Sequence, residues 1–285
     1  MTFAIVTPSY VLDYERCVLL NESIQRWVPP SVHHYIIVDA RDEKLFSSLR
    51  KPGTEIILQE DIVPKRFFTL PFVRKYRFSW NTLPIRGWMW QQVVKLSIAR
   101  AVLADVFVMT DSDNFFAKPF DPATHLRDGK VPLYREQKPY YETHEKNQEW
   151  HGQASRLLGL PRPEKPFDTG YVGHPVFWRG DVLRRLDRRL SRGRGTGGWI
   201  SDVGSLLTFS EFVLYGLYVE KVEGFDRAGH YPVADLCHSH WLERPLELDE
   251  LRAFRDEMPE EKILCMINGK SGTDVKKVRK VFFER

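Results

Sequence analysis

V-F-V-M-T-D-S-D-N, from Val106 to Asn114, is the stretch from which the rest of the chain is read. Four apolar residues, two of them β-branched, predict a strand buried on both faces. The run breaks at Thr110 into two carboxylates, Asp111 and Asp113, and side chains two apart on an extended backbone point to the same side. Such a pair at the end of a core strand suits a hard divalent cation, Mn2+ or Mg2+, that keeps coordination places for phosphate oxygens. The ligand this predicts is a diphosphate, and nucleotide-sugars carry one. A D-x-D arises by chance about once in a chain of this length, so its weight comes from position: it is the only such pair, and it follows a buried strand that follows a helix. The competing reading is two acids solvating a strand-end turn.

The chain has 285 residues, 42% hydrophobic and 13% aromatic, enough for one large domain or two closely joined lobes. Its longest mostly apolar stretch, Phe212 to Val219, is far too short to span a bilayer, and Met1-Thr2-Phe3 enters a strand pattern without the features of a secretory signal. The chain reads as cytoplasmic. Cys17, Cys237 and Cys265 are odd in number and include no C-x-x-C, which argues against a disulfide framework or zinc knuckle. A formal charge of +4 is too small and too mixed in sign for nucleic acid binding. Two clusters stand out, the arginines from Arg184 to Arg194 and the lysines from Lys276 to Lys280 beside Val281, Phe282 and Phe283. Both read first as solvated helix faces; the alternative is a peripheral contact of the basic C-terminus with the inner face of a membrane, or with a lipid-linked substrate.

Phe3 to Val6 predicts a first strand, ending in the polar loop Thr7-Pro8-Ser9-Tyr10. A helix follows from Tyr14 to Trp27, stopped by Pro29-Pro30. Tyr35 to Val38 is a second buried strand with Asp39 at its tip, and Glu55 to Leu58 a weaker third. This β-α-β order implies parallel strands whose carboxyl ends, where ligands bind in open α/β sheets, carry Thr7 to Tyr10 and Asp39. With no glycine before Gly53, the first turn is not a dinucleotide fingerprint. The G-x-G-x-x-G at Gly193 follows a helix, and the P-loop-like tail Gly269-Lys270-Ser271 has Leu264 in place of its first glycine; both are decoys. Pro64 to Pro84, aromatic and basic without a period, is a substrate-covering loop or an irregular packing segment. From about Gly87 to Leu103 a helix buries Trp90, Val94, Ile98 and Ala101. Its face of Trp88, Gln91, Gln92 and Lys95 either lines a donor cleft, with Lys95 and the glutamines on diphosphate or sugar hydroxyls, or faces water.

The T-P-S loop on the first strand, Asp39 on the second, R-G-W-M-W-Q-Q-V-V-K and then V-M-T-D-S-D-N together resemble a GT-A glycosyltransferase. More narrowly, the chain is similar to a bacterial family of glycosyltransferase-like proteins from polysaccharide loci, over Phe3 to Phe116 and again over Phe167 to Val219. The resemblance implies that Thr7 to Tyr10 and Asp39 bind the base and ribose of the donor. It also implies that Asp111 and Asp113, with Ser112 between them, bridge a divalent ion to the diphosphate, and that the strand around Gly170 meets the donor sugar. Asp168 on that strand is then the second candidate catalytic carboxylate.

Pro132 to Pro166, with His144, Trp150 and His151, reads as a lobe boundary: either a loose, sugar-stacking segment or a plain surface excursion. Thr208-Phe209-Ser210-Glu211 is a capping box and also the first candidate active-site motif, since inverting members of the family place a carboxylate at the start of this helix. Val233 to Trp241 predicts a strand on which His238 and His240 share a side; His240 is expected as a metal ligand, ahead of His238. Asn268 to Gly272 is a turn whose Lys270 closes over the diphosphate.

The expected fold is α/β, a GT-A-like, Rossmann-like, mostly parallel sheet flanked by helices. Residues 1–130 form its nucleotide-sugar-binding half and residues 131–285 its acceptor-binding and catalytic half. The expected activity is metal-dependent transfer from a nucleotide-sugar, a UDP-sugar foremost, to a glycan or lipid-linked saccharide in surface polysaccharide synthesis, with inversion. The rivals are a non-catalytic nucleotide-binding module, a retaining transferase of the same fold, and a phosphoesterase or nucleotidyltransferase.

Overall fold

The computed structural model describes residues 1–285 except 71, 81, 162–164, 196 and 285. Three parallel strands open the chain, β1 (Phe3–Pro8), β2 (His33–Val38) and β3 (Thr54–Leu58). A small antiparallel sheet follows, made of β4 (Phe68–Leu70), β5 (Val73–Ser79) and β6 (Thr82–Arg86). Then come β7 (Val106–Met109), β8 (Asn114–Phe116), β9 (Val131–Tyr134), β10 (Glu136–Gln137), β11 (Thr169–Gly170) and β12 (Val176–Arg179). The last strands are β13 (His230–Val233), β14 (Cys237–His240) and β15 (Leu264–Ile267).

The central sheet runs β12-β7-β1-β2-β3, parallel except for β12, which pairs antiparallel with β7. This is the mostly parallel, helix-flanked α/β arrangement that the sequence predicts. The strand read from Val106 is β7, buried along its whole length because the sheet is covered on both faces. Ala4, Val6, Phe107 and Met109 enter the larger core, while Ile5, Val106 and Val108 enter a second core under the Tyr14–Trp27 helix. That alternation is the period of two of an extended chain.

Strands from the two halves of the chain interleave. β12 completes the central sheet, and β8 pairs with β15 in a second sheet ordered β14-β15-β8. The D-x-D therefore sits between the two sheets, leaving one and entering the other.

Several local expectations are corrected. The helix read from Gly87 to Leu103 ends at Ser97 and tightens to a 3-10 turn over Ile98–Arg100, leaving Ala101 exposed. The segment expected to be loose holds a helix, Glu145–Leu158, capped by His144 and ended by Gly159 in the left-handed conformation. Ala154, Leu157 and Leu158 are buried at helical spacing, a stripe hidden among polar residues. Its Trp150 donates to Thr208 Oγ1, and His151 is fully buried between Phe167 and Tyr171. Residues 162–164 of that stretch lie outside the described residues. The strand expected from Val233 to Trp241 is two strands, β13 and β14. All three cysteines are buried and free, and no helix among the described residues is long and apolar enough to cross a membrane.

Candidate functional site

The Gly87–Ser97 helix, the end of β7 and the start of the Glu211–Leu217 helix converge on one side chain. Lys95 Nζ lies 2.6 Å from Asp111 Oδ1 and 2.9 Å from Glu211 Oε1, with Lys95 and Glu211 both buried and the Asp111 side chain 38% exposed. Burial opposes charge on Lys95, but Asp111 and Glu211 outweigh it and hold the ammonium above its ordinary pKa. Burial alone would raise Asp111; Lys95 and His174 reverse that and keep it ionised. Glu211 stays above its ordinary value because burial and Asp111 together exceed the pull of Lys95. Gln92 Oε1 accepts the Glu211 backbone N–H, and the Lys95 ammonium lies 4.6 Å from the Phe212 ring centroid. The polar helix face that could have met water is thus turned inward at Gln92 and Lys95, while Trp88 is exposed.

Glu211 is not the third helical residue of a capping box, as the sequence motif suggests. Ser210 is the N-cap, accepting from Val213 N, and Glu211 is the first helical residue. Thr208, read as the cap, accepts from Trp150 instead. The capping reading therefore belongs to Ser210, and Glu211 is freed to pair with Lys95.

The D-x-D is a turn rather than an extended pair, because Asn114 N donates to Asp111 O at 3.1 Å. Asp111 turns to Lys95 and to His174, whose Nε2 lies 3.6 Å from Asp111 Oδ2. Asp113 Oδ2 instead accepts the Gly269 N–H at 3.2 Å. Burial, then Asp111, then Asp13, push the Asp113 carboxyl up to about 7 against the Gly269 bond. Buried Ser112 lines a small cleft there with Arg16, Asp113, Asn114 and Ser271. Arg16 bridges Asp13 at 2.6 Å and the Gly269 carbonyl at 2.5 Å. Asp113, buried and crowded by the charge of Asp111, is a carboxylate whose charge a divalent cation would relieve. Among the described residues no three His, Cys, Asp or Glu side chains form a metal cage; Mg2+ and Mn2+ sites built on one or two carboxylates plus substrate phosphates need none.

The first-strand loop divides. Thr7 is fully buried and joins Thr110 Oγ1 and His34 Nε2, each at 3.0 Å; it is part of a core network rather than a ligand surface. Pro8 pairs with Ile37 in the sheet, Ser9 is buried with its Oγ unpartnered, and Tyr10 is exposed. Asp39, expected as a ribose contact, is held by two arginines. Its carboxylate accepts from Arg41 N, Nε and Nη2 and from Arg77 Nη2. Burial would raise it, yet Arg41 and Arg77 hold it below its ordinary value. The group that faces outward at this tip is the partly exposed Arg41.

The remaining candidates do not gather here. His240 Nε2 is 3.1 Å from the Arg244 carbonyl and His238 Nε2 is 2.9 Å from that of Phe254. Both rings pack near Phe254, so the shared side is as expected, but the partners are backbone. Lys270 is exposed and pairs with Glu243. Asp168 sits outside the cluster, held by Gln137 and Thr169. The glycines of that strand make room for rings: a Cβ at Gly170 would lie 2.3 Å from the Tyr141 ring, and at Gly173 2.8 Å from Tyr134. Those two rings occupy the space a side chain would take at each glycine. The residues missed in the sequence are His174, Arg16, Asp13, Arg41 and Asn114. A polar residue between Gly173 and Pro175 was the only signal for the first.

Residues 3–282 match the model described as Family of unknown function (DUF6492). No curated protein matches the chain. Among solved structures it is similar to the apo form of mouse xyloside xylosyltransferase 1, at 9% identity over 94% of this chain and 98% of that chain, with a TM-score of 0.49. It is also similar to an active-site mutant of LgtC, at 13% identity over 93% of this chain and 86% of that chain, with a TM-score of 0.48.

Proposed function

We propose that this chain, which belongs to the DUF6492 family, is a glycosyltransferase that moves a sugar from a nucleotide-sugar, with UDP as the carrier, to a glycan or lipid-linked saccharide. The acceptor is of the kind assembled into surface polysaccharides. One observation carries the reading: Lys95 joins Asp111 and Glu211, in a neighbourhood where Gln92 Nε2, both amide atoms of Asn114 and His174 Nδ1 are buried without partners. Buried polar atoms are nearly always paired. A concentration of unpaired ones at the carboxyl ends of a parallel sheet fits a ligand rich in hydroxyl and phosphate oxygens.

Asp111 and Asp113 would hold Mn2+ or Mg2+, which when bound would supply positive charge against the leaving diphosphate. Lys95 adds a fixed, desolvated positive charge beside the same group. Glu211, raised by burial, accepts the acceptor hydroxyl proton. The acceptor oxygen then bonds to the anomeric carbon, the bond from that carbon to the diphosphate oxygen breaks, and the nucleoside diphosphate leaves. A single displacement of this kind inverts the anomeric configuration.

The test is calorimetry with UDP, with and without Mn2+, followed by chromatography of products from a UDP-sugar panel. Metal-dependent binding and release of free UDP support the reading. Binding without turnover across an acceptor panel would make the chain a nucleotide-binding module, and phosphate or pyrophosphate as product would make it a phosphoesterase or nucleotidyltransferase.

A further inference from the structure

The β4-β5-β6 sheet is attached to the protein by one face. Arg77 and its cross-strand neighbour Ile85 point inward, Arg77 to Asp39 and Gln59 and Ile85 into the main core. Side chains alternate across a strand, so the opposite face carries Phe68, Tyr76, Phe78 and Trp80. Their rings form a ladder, Phe68 lying 6.4 Å from Phe78 and 5.6 Å from Trp80, and Tyr76 lying 6.5 Å from Phe78. At the two turns the exposure is greatest, Phe72 being 102% exposed and Trp80 89%, and Leu83 in β6 is 68% exposed. Phe72 also holds φ at 66°, a left-handed conformation rare for a bulky residue.

The charge is as one-sided as the exposure. From Val63 to Gly87 the chain carries six cations and no Asp or Glu. Arg74 and Arg77 are engaged by Asp42 and Asp39. Lys65, Lys75 and Arg86 are exposed, and among the described residues they make no ion pair with a carboxylate. Large rings on protruding turns, set among uncompensated cations, are costly against water. They match the boundary of an anionic bilayer, where aromatic rings sit at headgroup depth and Lys and Arg meet lipid phosphates. A protein groove would call for a compact apolar patch, whereas the two most exposed rings, Phe72 and Trp80, project from separate turns.

We infer that the β4-β5-β6 sheet is a membrane-docking element that inserts Phe72, Trp80 and Leu83 into an anionic lipid surface. The basic C-terminal helix, Val275–Phe282, is unsuited to that task. Its Val278, Val281 and Phe282, with the following Phe283, pack into the protein around Phe115, and its Lys277 and Arg279 are paired with Glu247 and Glu22. Because Arg77 ties the docking sheet to Asp39 at the end of β2, docking brings the carboxyl end of the central sheet beside the lipid.

The experiment is co-sedimentation of the full chain with vesicles of phosphatidylcholine, alone or mixed with phosphatidylglycerol. The expected result is binding to the mixed vesicles only, weakened by salt, and reduced about tenfold or more in partition coefficient by Phe72→Ser with Trp80→Ser, with an unchanged thermal melt. Lys75→Glu with Arg86→Glu should weaken binding comparably and so guards against a folding defect in the first pair, while Lys276→Glu with Lys280→Glu should bind as wild type. Absent binding to mixed vesicles, binding indifferent to both sheet variants, or loss confined to the C-terminal variant would each overturn the inference. So would retention on a soluble anionic polysaccharide, polygalacturonate, without any on vesicles, which would make the ladder a glycan platform.

Discussion

Lys95 and Glu211, 116 positions apart in the chain, meet at 2.9 Å inside the protein. The contact fixes the Glu211–Leu217 helix against the Gly87–Ser97 helix, and through Asp111 it ties both to the end of β7. Lys95→Met should leave Glu211 buried without a counter-charge and Asp111 with His174 alone, costing about 3 kcal/mol in urea unfolding, as broken buried pairs do. Lys95→Met with Glu211→Leu should recover most of that loss. Equal destabilisation of the single and double variants would mean that the ion pair is not the source.

Asp113→Asn separates the cation site from the fold. Asparagine retains an oxygen for the Gly269 N–H and removes a charge crowded by Asp111 and Asp13, so the melting temperature should hold or rise. Mn2+-dependent UDP binding should fall about tenfold or more. Metal dependence equal to wild type in calorimetry would take Asp113 out of the cation site.

What the sequence disclosed follows from the range of the interactions involved. β7, β1 and the Tyr14–Trp27 helix are local apolar patterns, and each lies where its period predicts. Lys95, Glu211 and Asp111 each stand out singly, but their meeting depends on how three elements pack, which no local spacing encodes. Asp39 is a second case. A carboxylate at a strand tip stands out in the sequence, but its partners Arg41, two positions on, and Arg77, from another sheet, do not. His174 was hidden for the same reason, since its contact with Asp111 joins a loop to a distant turn. The D-x-D turn was misread as extended because strand geometry was continued past Met109, where the Asp111–Asn114 bond bends the chain.

Glu211→Gln distinguishes a proton acceptor from a structural partner. Glutamine can still accept from Lys95 through its amide oxygen, and Lys95 keeps Asp111, so the melt should move little. As proton acceptor, its loss should lower the transfer rate about 10²-fold or more while donor affinity persists. An active variant giving product of retained configuration would reduce Glu211 to holding Lys95 in place.

The last prediction concerns acid stability and rests on His34. Its Nδ1 faces Asn21 Oδ1 at 3.1 Å and its Nε2 faces Thr7 Oγ1 at 3.0 Å. Asn21 Oδ1 can only accept, so Nδ1 carries the proton and Nε2 accepts from Thr7, which is a neutral ring. Burial lowers the folded pKa to about 3, against an ordinary value of about 6.5 in the unfolded chain. Between those values the unfolded state binds the extra proton, so the stabilising contribution is complete above about pH 6.5 and is lost as pH falls toward 3. By pH 4.5 that amounts to about 2–3 kcal/mol. His34→Gln retains a donor and an acceptor but cannot titrate, so it should cost stability at pH 8 and yet flatten the decline between pH 6.5 and 4.5. Urea unfolding of both proteins across that window is the check. Curves that fall in parallel would show that the acid sensitivity lies elsewhere, with buried His230, lowered to about 3 by its own burial, the next residue to replace.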